Sequence, residues 1–403
     1  MDTKRRVVIT GLGVISSLGI GKTSFWDSIL QGKSGISPVT AFDTSNQFTH
    51  NGGEVKRFDP AKYLPELKVD IYGRASQMAF ASAKLSLVDS ELSSDNCVGK
   101  KVGVCIGITA GPVQVIEDIN DALLKNNAIP KAMIYRLPVH SASAIISREL
   151  GFDGPNFLFS TACAAGNYAI GYGFDLIQLN KADIMLCGGS DSFSRISFTG
   201  FNQFSAVAPQ KCQPFDKNRK GMMVAEGAGT LILESLESAL KRKAPIYAEI
   251  LGYGLSCDAF HMTTSSIEGL AACMKMAIRS AGIETDDVSY ISAHGTGTIA
   301  NDKNECAAIK KIFGLNYKKI PVSSVKSMLG HTMGAASAIE AIVCSLTVKY
   351  DIIPATINYE TPDPECDIDC VPNHAREHIV NIALNNSYAF GGNNACLVLS
   401  KFS

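Results

Sequence analysis

The 403-residue chain lacks an excess of either charge: 37 basic side chains stand against 38 acidic ones, a formal net charge of −1. That balance argues against non-specific nucleic-acid binding, which needs a strongly basic face. Long apolar runs are missing as well. No stretch approaches the about 18 apolar residues of a transmembrane helix, so no membrane span is expected. Arg6 leads directly into the strand-like Val7-Val8-Ile9-Thr10, without the apolar segment and cleavage site of a secretory leader. No low-complexity tract or proline- and serine-rich linker divides the chain, so its parts are expected to pack as one body. The twelve cysteines form no evident disulfide framework. Scattered along a glycine-rich chain, they fit reduced thiols and a cytoplasmic location.

What is present is apolar and periodic. Hydrophobic residues make up 46% and charged ones 19%, enough for a large buried core. Short runs such as 102–107 and 184–187 read as buried strands. Between them, Ile170, Phe174 and Ile177 fall at helical spacing, and 270–281 and 335–346 follow the same habit. Strands alternating with helices predict an α/β fold with a mostly parallel sheet covered on both faces. A weak internal echo joins 8–13 to 249–254 and 227–233 to 391–399. The letters leave both duplication and chance likeness of glycine-flanked strands open.

Two motifs fail their tests. Gly11-Leu12-Gly13 follows a strand, but Ser16 replaces the third glycine of a dinucleotide fingerprint and no acidic partner follows at the ribose spacing. Cys366, Cys370, His374 and His378 recur every four residues and are zinc-ligand types. Pro362, Pro364 and Pro372 break any helix that would align them. An extended surface loop leading into a short helix is expected there, without metal.

Cys163 is better placed. It follows a run, 156–160, expected to form a buried strand, and Ala164, Ala165 and Gly166 let a helix begin beside it. A thiol at a helix N-terminus is expected to favour thiolate, and its own N–H can help hold an oxyanion. His294 ends the strand-like run 288–293 and precedes Gly295-Thr296-Gly297-Thr298. Strand tips are where ligands gather in α/β sheets, and the threonine hydroxyls can meet a carboxylate or carbonyl. His331 follows the strand-like 322–326, and Lys326 can pair with Glu340 to orient the site. One thiol and two histidines at strand ends point to nucleophilic acyl chemistry.

At these residues the chain resembles the β-ketoacyl-acyl carrier protein synthases of the elongating, two-histidine type. The likeness runs nearly end to end. It covers 8–13, Thr161-Ala162-Cys163, Asp191, Pro214-Phe215-Asp216, Glu226-Gly227-Ala228-Gly229 and the 294–298 motif. It continues through Asn301-Asp302 with Glu305, Lys326 to Glu340, and Asn386-Ser387-Tyr388-Ala389-Phe390-Gly391-Gly392. The resemblance implies a thiolase-like fold of five α-β-α-β-α layers built from two similar halves. Residues 1–245 would carry the nucleophile and 246–403 both histidines, normally in a homodimer.

The implied reaction is decarboxylative condensation of malonyl-carrier protein with an acyl chain held on Cys163, in fatty-acid or specialised lipid or polyketide synthesis. The implied catalytic set is Cys163, His294, Lys326 and His331, supported by Glu340, Asp302 and Phe390. Thr296, Thr298, Ala110, Phe201 and Phe390 would contact substrate. No metal, flavin or nucleotide is implied. The implied partner is an acyl- or malonyl-loaded acyl carrier protein, either the housekeeping one or a dedicated one.

Departures from the family pattern bear on substrate and partner. Tyr388-Ala389-Phe390-Gly391-Gly392 replaces Phe-Gly-Phe-Gly-Gly, which restricts the backbone if position 389 needs positive φ. Lys220 stands where the family has aspartate, and Ala110 where many members carry a bulkier side chain. In the family's basic carrier-docking regions this chain has Asp70, Ile71, Pro130 beside Lys131, and Ser205. Lys62, Lys68, Arg74 and Lys220 are the cations that could compensate. Two rival readings are a thiolase-type enzyme of coenzyme A esters and a non-catalytic chain-length or scaffold subunit of a synthase heterodimer. The two-histidine pattern argues against the first, and Cys163 itself against the second.

Overall fold

Every residue of the strand Val7–Ser16 is buried. An uninterrupted apolar strand of this kind needs cover on both faces, and the computed structural model, which describes residues 5–65 and 69–402, supplies it. Lys68 lies outside the described residues.

Ten strands are hydrogen-bonded in the order Val322–Ser323, Tyr290–Ser292, Ile382–Tyr388, Asn393–Ser400, Ala248–Cys257, Val7–Ser16, Gly227–Ser235, Ile184–Asp191, Val102–Gly107 and Asn156–Phe159. The short Gly19–Ile20 pairs back onto Val7–Ser16. Val7–Ser16 and Ala248–Cys257 meet antiparallel at the centre. Outward from them, each side repeats one pattern: two antiparallel pairings, then two parallel ones. The repeat accounts for the echo in the sequence, since 8–13 and 249–254 lie in the two central strands.

The sheet is therefore mixed, not mostly parallel as expected. Burial on both faces dictates the apolar runs, and strand direction leaves no separate mark on them.

Helices Ala165–Gln178 and Ala336–Tyr350 form the middle layer between the two halves of the sheet. Arg74–Asp89 and Ser141–Leu150 cover the first half from outside. Ile267–Ala281, with Ile299–Phe313 beside it, covers the second. These are the five layers of the thiolase-like fold. Helix Ala336–Tyr350 is buried continuously from Ala336 to Val348, so it has no polar face.

Two further expectations are corrected. Asn156–Phe159 is the outer strand of the sheet and not a buried one; Phe157 is 39% exposed. Its apolar letters signalled an apolar environment that the single chain does not provide. The segment around Cys366 has a 3-10 turn, Pro364–Cys366, and a two-residue strand, Arg376–Glu377, instead of a loop entering a helix. Cys366 and Cys370 are buried in the core while His374 is exposed. No helix among the described residues is long and apolar enough to cross a membrane.

Candidate active site

After Asn156–Phe159 the chain tightens into a 3-10 turn, Ala162–Ala164, and then runs into helix Ala165–Gln178. Ala162 adopts φ +49°, a strained conformation for a residue with a Cβ, and the turn seats Cys163 at the head of the helix. The backbone N–H groups of Phe390 and of Cys163 itself are directed at the thiol.

The two histidines approach from the other half. Glu305, on helix Ile299–Phe313, accepts the N–H of His294 at 2.9 Å and of Gly295 at 2.8 Å, which fixes the tip of the preceding strand. Gly295 has φ +40°, and a Cβ there would lie 2.6 Å from the Ser324 Cβ, so the turn has room only for glycine. His331 follows the short helix Lys326–Leu329. Its Nδ1 accepts the Met333 N–H at 3.0 Å, so the ring proton sits on Nε2.

One ligand-capable atom from each of Cys163, His294 and His331 lies within 4.8 Å of the other two. The imidazole centroids are 5.6 Å apart and nearly perpendicular, at 86°. Behind them Lys326 and Glu340 form a hydrogen-bonded ion pair, both fully buried.

Burial dominates the titration of the site. It pushes the Cys163 thiol up to about 11, against the Lys326 charge and the two backbone N–H groups. The expected thiolate is thus corrected to a neutral thiol, because desolvation outweighs the helix terminus. Burial, joined by the Lys326 charge, lowers His331 to about 3 and takes His294 well below its ordinary range. Both rings are therefore neutral N–H donors at pH 7. Burial raises Glu305 to about 7 against the N–H bonds it accepts, and Glu340 to about 7 against the pull of Lys326. Cysteine and histidine are zinc-ligand types, but a metal ion here would face the Lys326 ammonium, whose charge already disfavours positive charge on both rings.

Cys163, His294 and His331 open into one pocket that Phe201, Thr296, Thr298 and Phe390 also line. The Phe390 ring stands 6.0 Å from Phe201 and 6.5 Å from Phe204. The Thr296 and Thr298 hydroxyls are hydrogen-bonded at 2.8 Å. Asp302 stands behind this loop, accepting the N–H of Phe215 at 2.9 Å and of Gly297 at 3.2 Å. Ala110 is not among the residues of this pocket; its N–H is held by Asp191 at 2.9 Å. Ala389 is not in the positive-φ region, which Gly391 and Gly392 occupy at +85° and +84°. Alanine is accommodated there without the backbone penalty considered above.

Sequence reasoning missed part of the lining. Tyr388 packs edge-on to His294 with ring centroids 5.9 Å apart. Thr263 and Ser265 also line the pocket, and the hydroxyl run Thr263-Thr264-Ser265-Ser266 was the available signal. Asp191 received no role from the sequence. It accepts the N–H groups of Thr109, Ala110, Gly111 and Gly334, tying the loop after Val102–Gly107 to the turn beyond His331. Its signs in the sequence were its place among the positions of the family resemblance and its position after the strand-like run 184–187.

Comparison with known proteins agrees with this geometry. Residues 4–239 match the family model for the N-terminal domain of beta-ketoacyl synthase, and 247–360 match that for its C-terminal domain. A curated relative from Synechocystis sp., 3-oxoacyl-[acyl-carrier-protein] synthase 2, is 40% identical over 410 residues, covering 99% of each chain. Among solved structures, the ishigamide ketosynthase/chain length factor is 43% identical with a TM-score of 0.97, covering 100% of both chains. A type II PKS ketosynthase, solved in complex with its acyl-carrier protein, is 33% identical with a TM-score of 0.91, again covering 100% of both.

Proposed function

The chain belongs to the β-ketoacyl synthase family of condensing enzymes, and from that premise we propose that Cys163, His294 and His331 join an acyl chain to malonate delivered on an acyl carrier protein. The observation that carries this reading is the convergence of one thiol and two neutral imidazoles within 4.8 Å in a single pocket.

In the first half-reaction the Cys163 Sγ attacks the acyl thioester. The new Sγ–acyl bond replaces the carrier's C–S bond, and the thiol proton leaves with the carrier thiol. The N–H groups of Cys163 and Phe390 hold the intermediate oxyanion. In the second, the Nε2–H groups of His331 and His294 donate to the malonyl thioester oxygen. The bond to carbon dioxide breaks, its electron pair passes into the enolate, and the resulting carbanion attacks the acyl carbon and expels the Cys163 thiolate, which takes a proton from water to restore the neutral thiol. Neutral donors suit this step because they stabilise a developing oxyanion without transferring a proton to it. Burial, joined by the Lys326 charge, keeps both rings neutral, and Lys326, paired with Glu340, is a positioning residue. Asp302 holds the loop that carries Thr296 and Thr298, whose hydroxyls meet the malonyl carboxylate.

The 43% identity to the ishigamide ketosynthase/chain length factor, with Tyr388 in the pocket wall, supports a specialised polyketide or lipid product. We place the boundary of the halves at 245/246, Ala110 and Phe201 along the acyl channel, and the enzyme in the cytoplasm as a homodimer.

The assignment is tested by intact mass after exposure to hexanoyl-pantetheine. Wild type gains one acyl group, Cys163→Ala gains none yet still decarboxylates malonyl thioester, and His331→Ala is acylated but does not decarboxylate. Equal loading of wild type and Cys163→Ala defeats the assignment.

A further inference from the structure

The mouth of the pocket is flanked by segments that expose several large apolar side chains. Phe260 and Met262 precede the lining residues Thr263 and Ser265 and are 69% and 71% exposed. The Met262 carbonyl accepts the Gly391 N–H at 2.8 Å, pinning this loop to the turn beside Phe390. Ile299, next to the lining Thr298, is 64% exposed, and Phe204, packed on Phe390, is 59% exposed. Large apolar side chains gathered at an opening mark an interaction surface.

Three of the cations near this mouth are already engaged. Arg219 is buried and pairs with Asp363. Lys303 pairs with Glu365, and Lys211 with Glu360. Lys217 is exposed and makes no ion pair among the described residues. Lys220 is likewise exposed and makes no ion pair among the described residues. An acidic partner would find little unneutralised positive charge here.

We propose that the carrier protein docks on this rim through an apolar face around its phosphopantetheine-bearing serine, with charge pairing a minor contribution. The proposal rests on the reading that substrates arrive on a carrier. Rim charges govern association rate and salt dependence, whereas apolar burial is little affected by screening. Docking here therefore combines weak salt dependence with strong dependence on a few large side chains.

The test measures acylation of Cys163 by each carrier protein of the source cell, loaded with hexanoate, at low and physiological salt. Carrier-free hexanoyl-pantetheine runs alongside. For the best carrier, kcat/KM should change less than about threefold with salt, because screening acts mainly on exposed charges. Phe260→Ser/Met262→Ser/Ile299→Ser should lower it by about tenfold or more, the scale of lost interface anchors, while loading from hexanoyl-pantetheine is unchanged. Lys220→Glu should have little effect. A steep fall with salt, preference for the most acidic carrier, or full activity of the triple variant overturns the proposal. If the triple variant also loses loading from pantetheine, the salt profile of the wild type decides. Failure of wild type to load from hexanoyl-pantetheine defeats the reading of the site, and the docking proposal with it.

Discussion

Cys163 and His331 are shifted in opposite directions by the same cause, removal of water from a buried pocket. With its thiol pushed up to about 11, the alkylation rate of Cys163 by iodoacetamide should keep rising with pH well past the ordinary thiol range. A plateau near pH 8 would show an exposed or activated thiolate instead. The sign for His331 follows from linkage. Its folded value of about 3 lies below the about 6.5 of an unfolded imidazole, so between these values the unfolded chain binds a proton that the native one refuses. Stability is then lost as pH falls from about 6.5 toward 3, and His331→Asn should flatten that part of the melting-temperature profile. An identical slope in the variant would place the acid sensitivity elsewhere. Ala110 gives a prediction about substrate length. If it lines the acyl channel, Ala110→Ile fills space worth about 0.8 kcal/mol per excluded methylene, and the longest accepted chain shortens. An unchanged chain-length profile counts against that placement. The reactive letters were legible because thiol and imidazole have few rivals at strand tips. Their protonation states were not, because a helix start can be read from Ala164-Ala165-Gly166 while the depth at which it lies cannot.

At the scale of elements, the middle layer depends on small residues where its helices cross. A Cβ on Gly166 would lie 2.6 Å from the Ala338 nitrogen and 2.9 Å from the Ala338 Cβ. Neither neighbour can swing away, since both belong to the buried helix Ala336–Tyr350. Gly166→Ala should therefore cost about 1–3 kcal/mol as overpacking, and it should slow Cys163 acylation because the nucleophile sits in the adjoining turn. Calorimetry and acylation kinetics on one preparation check both effects; unaltered melting and rate would mean that the helices separate freely. The helices after Cys163 and around Ala336–Tyr350 were legible from spacing and small residues. Strand direction was not, because central strands are covered on both faces whichever way they run. Nor was the short helix expected after Cys370, where Pro372 and the pairing of Arg376–Glu377 with Ile352–Ile353 prevail.

The whole molecule repeats one plan and differentiates it at the crossing. Ala162 at φ +49° and Met333 at φ +54° open matching 3-10 turns before the two central helices. Cys163 occupies the middle of one turn. Gly334 occupies the middle of the other, its N–H on Asp191 at 2.7 Å. One half thus presents the nucleophile and the other presents His294 and His331, so neither half holds the full site. The plan also leaves an unfinished edge. The Pro155 and Phe159 carbonyls accept from Val104 of the inner strand and from Ile108 just past its end, so the alternation of a strand turns the backbone of Asn156 and Leu158 outward. An open strand with an exposed Phe157 is a template for pairing, and a second copy related by two-fold symmetry would meet the same strand antiparallel. Leu158→Pro removes one outward N–H, a change an edge strand tolerates within its own chain. Sedimentation should give the wild type at twice the 42.9 kDa of one chain, with Leu158→Pro shifted toward the single-chain mass. Because helix Ala165–Gln178 follows this strand directly through the Cys163 turn, loss of the dimer should also lower acylation from hexanoyl-pantetheine. A wild type that sediments as one chain, or a variant that remains dimeric, would assign the exposed edge some other role.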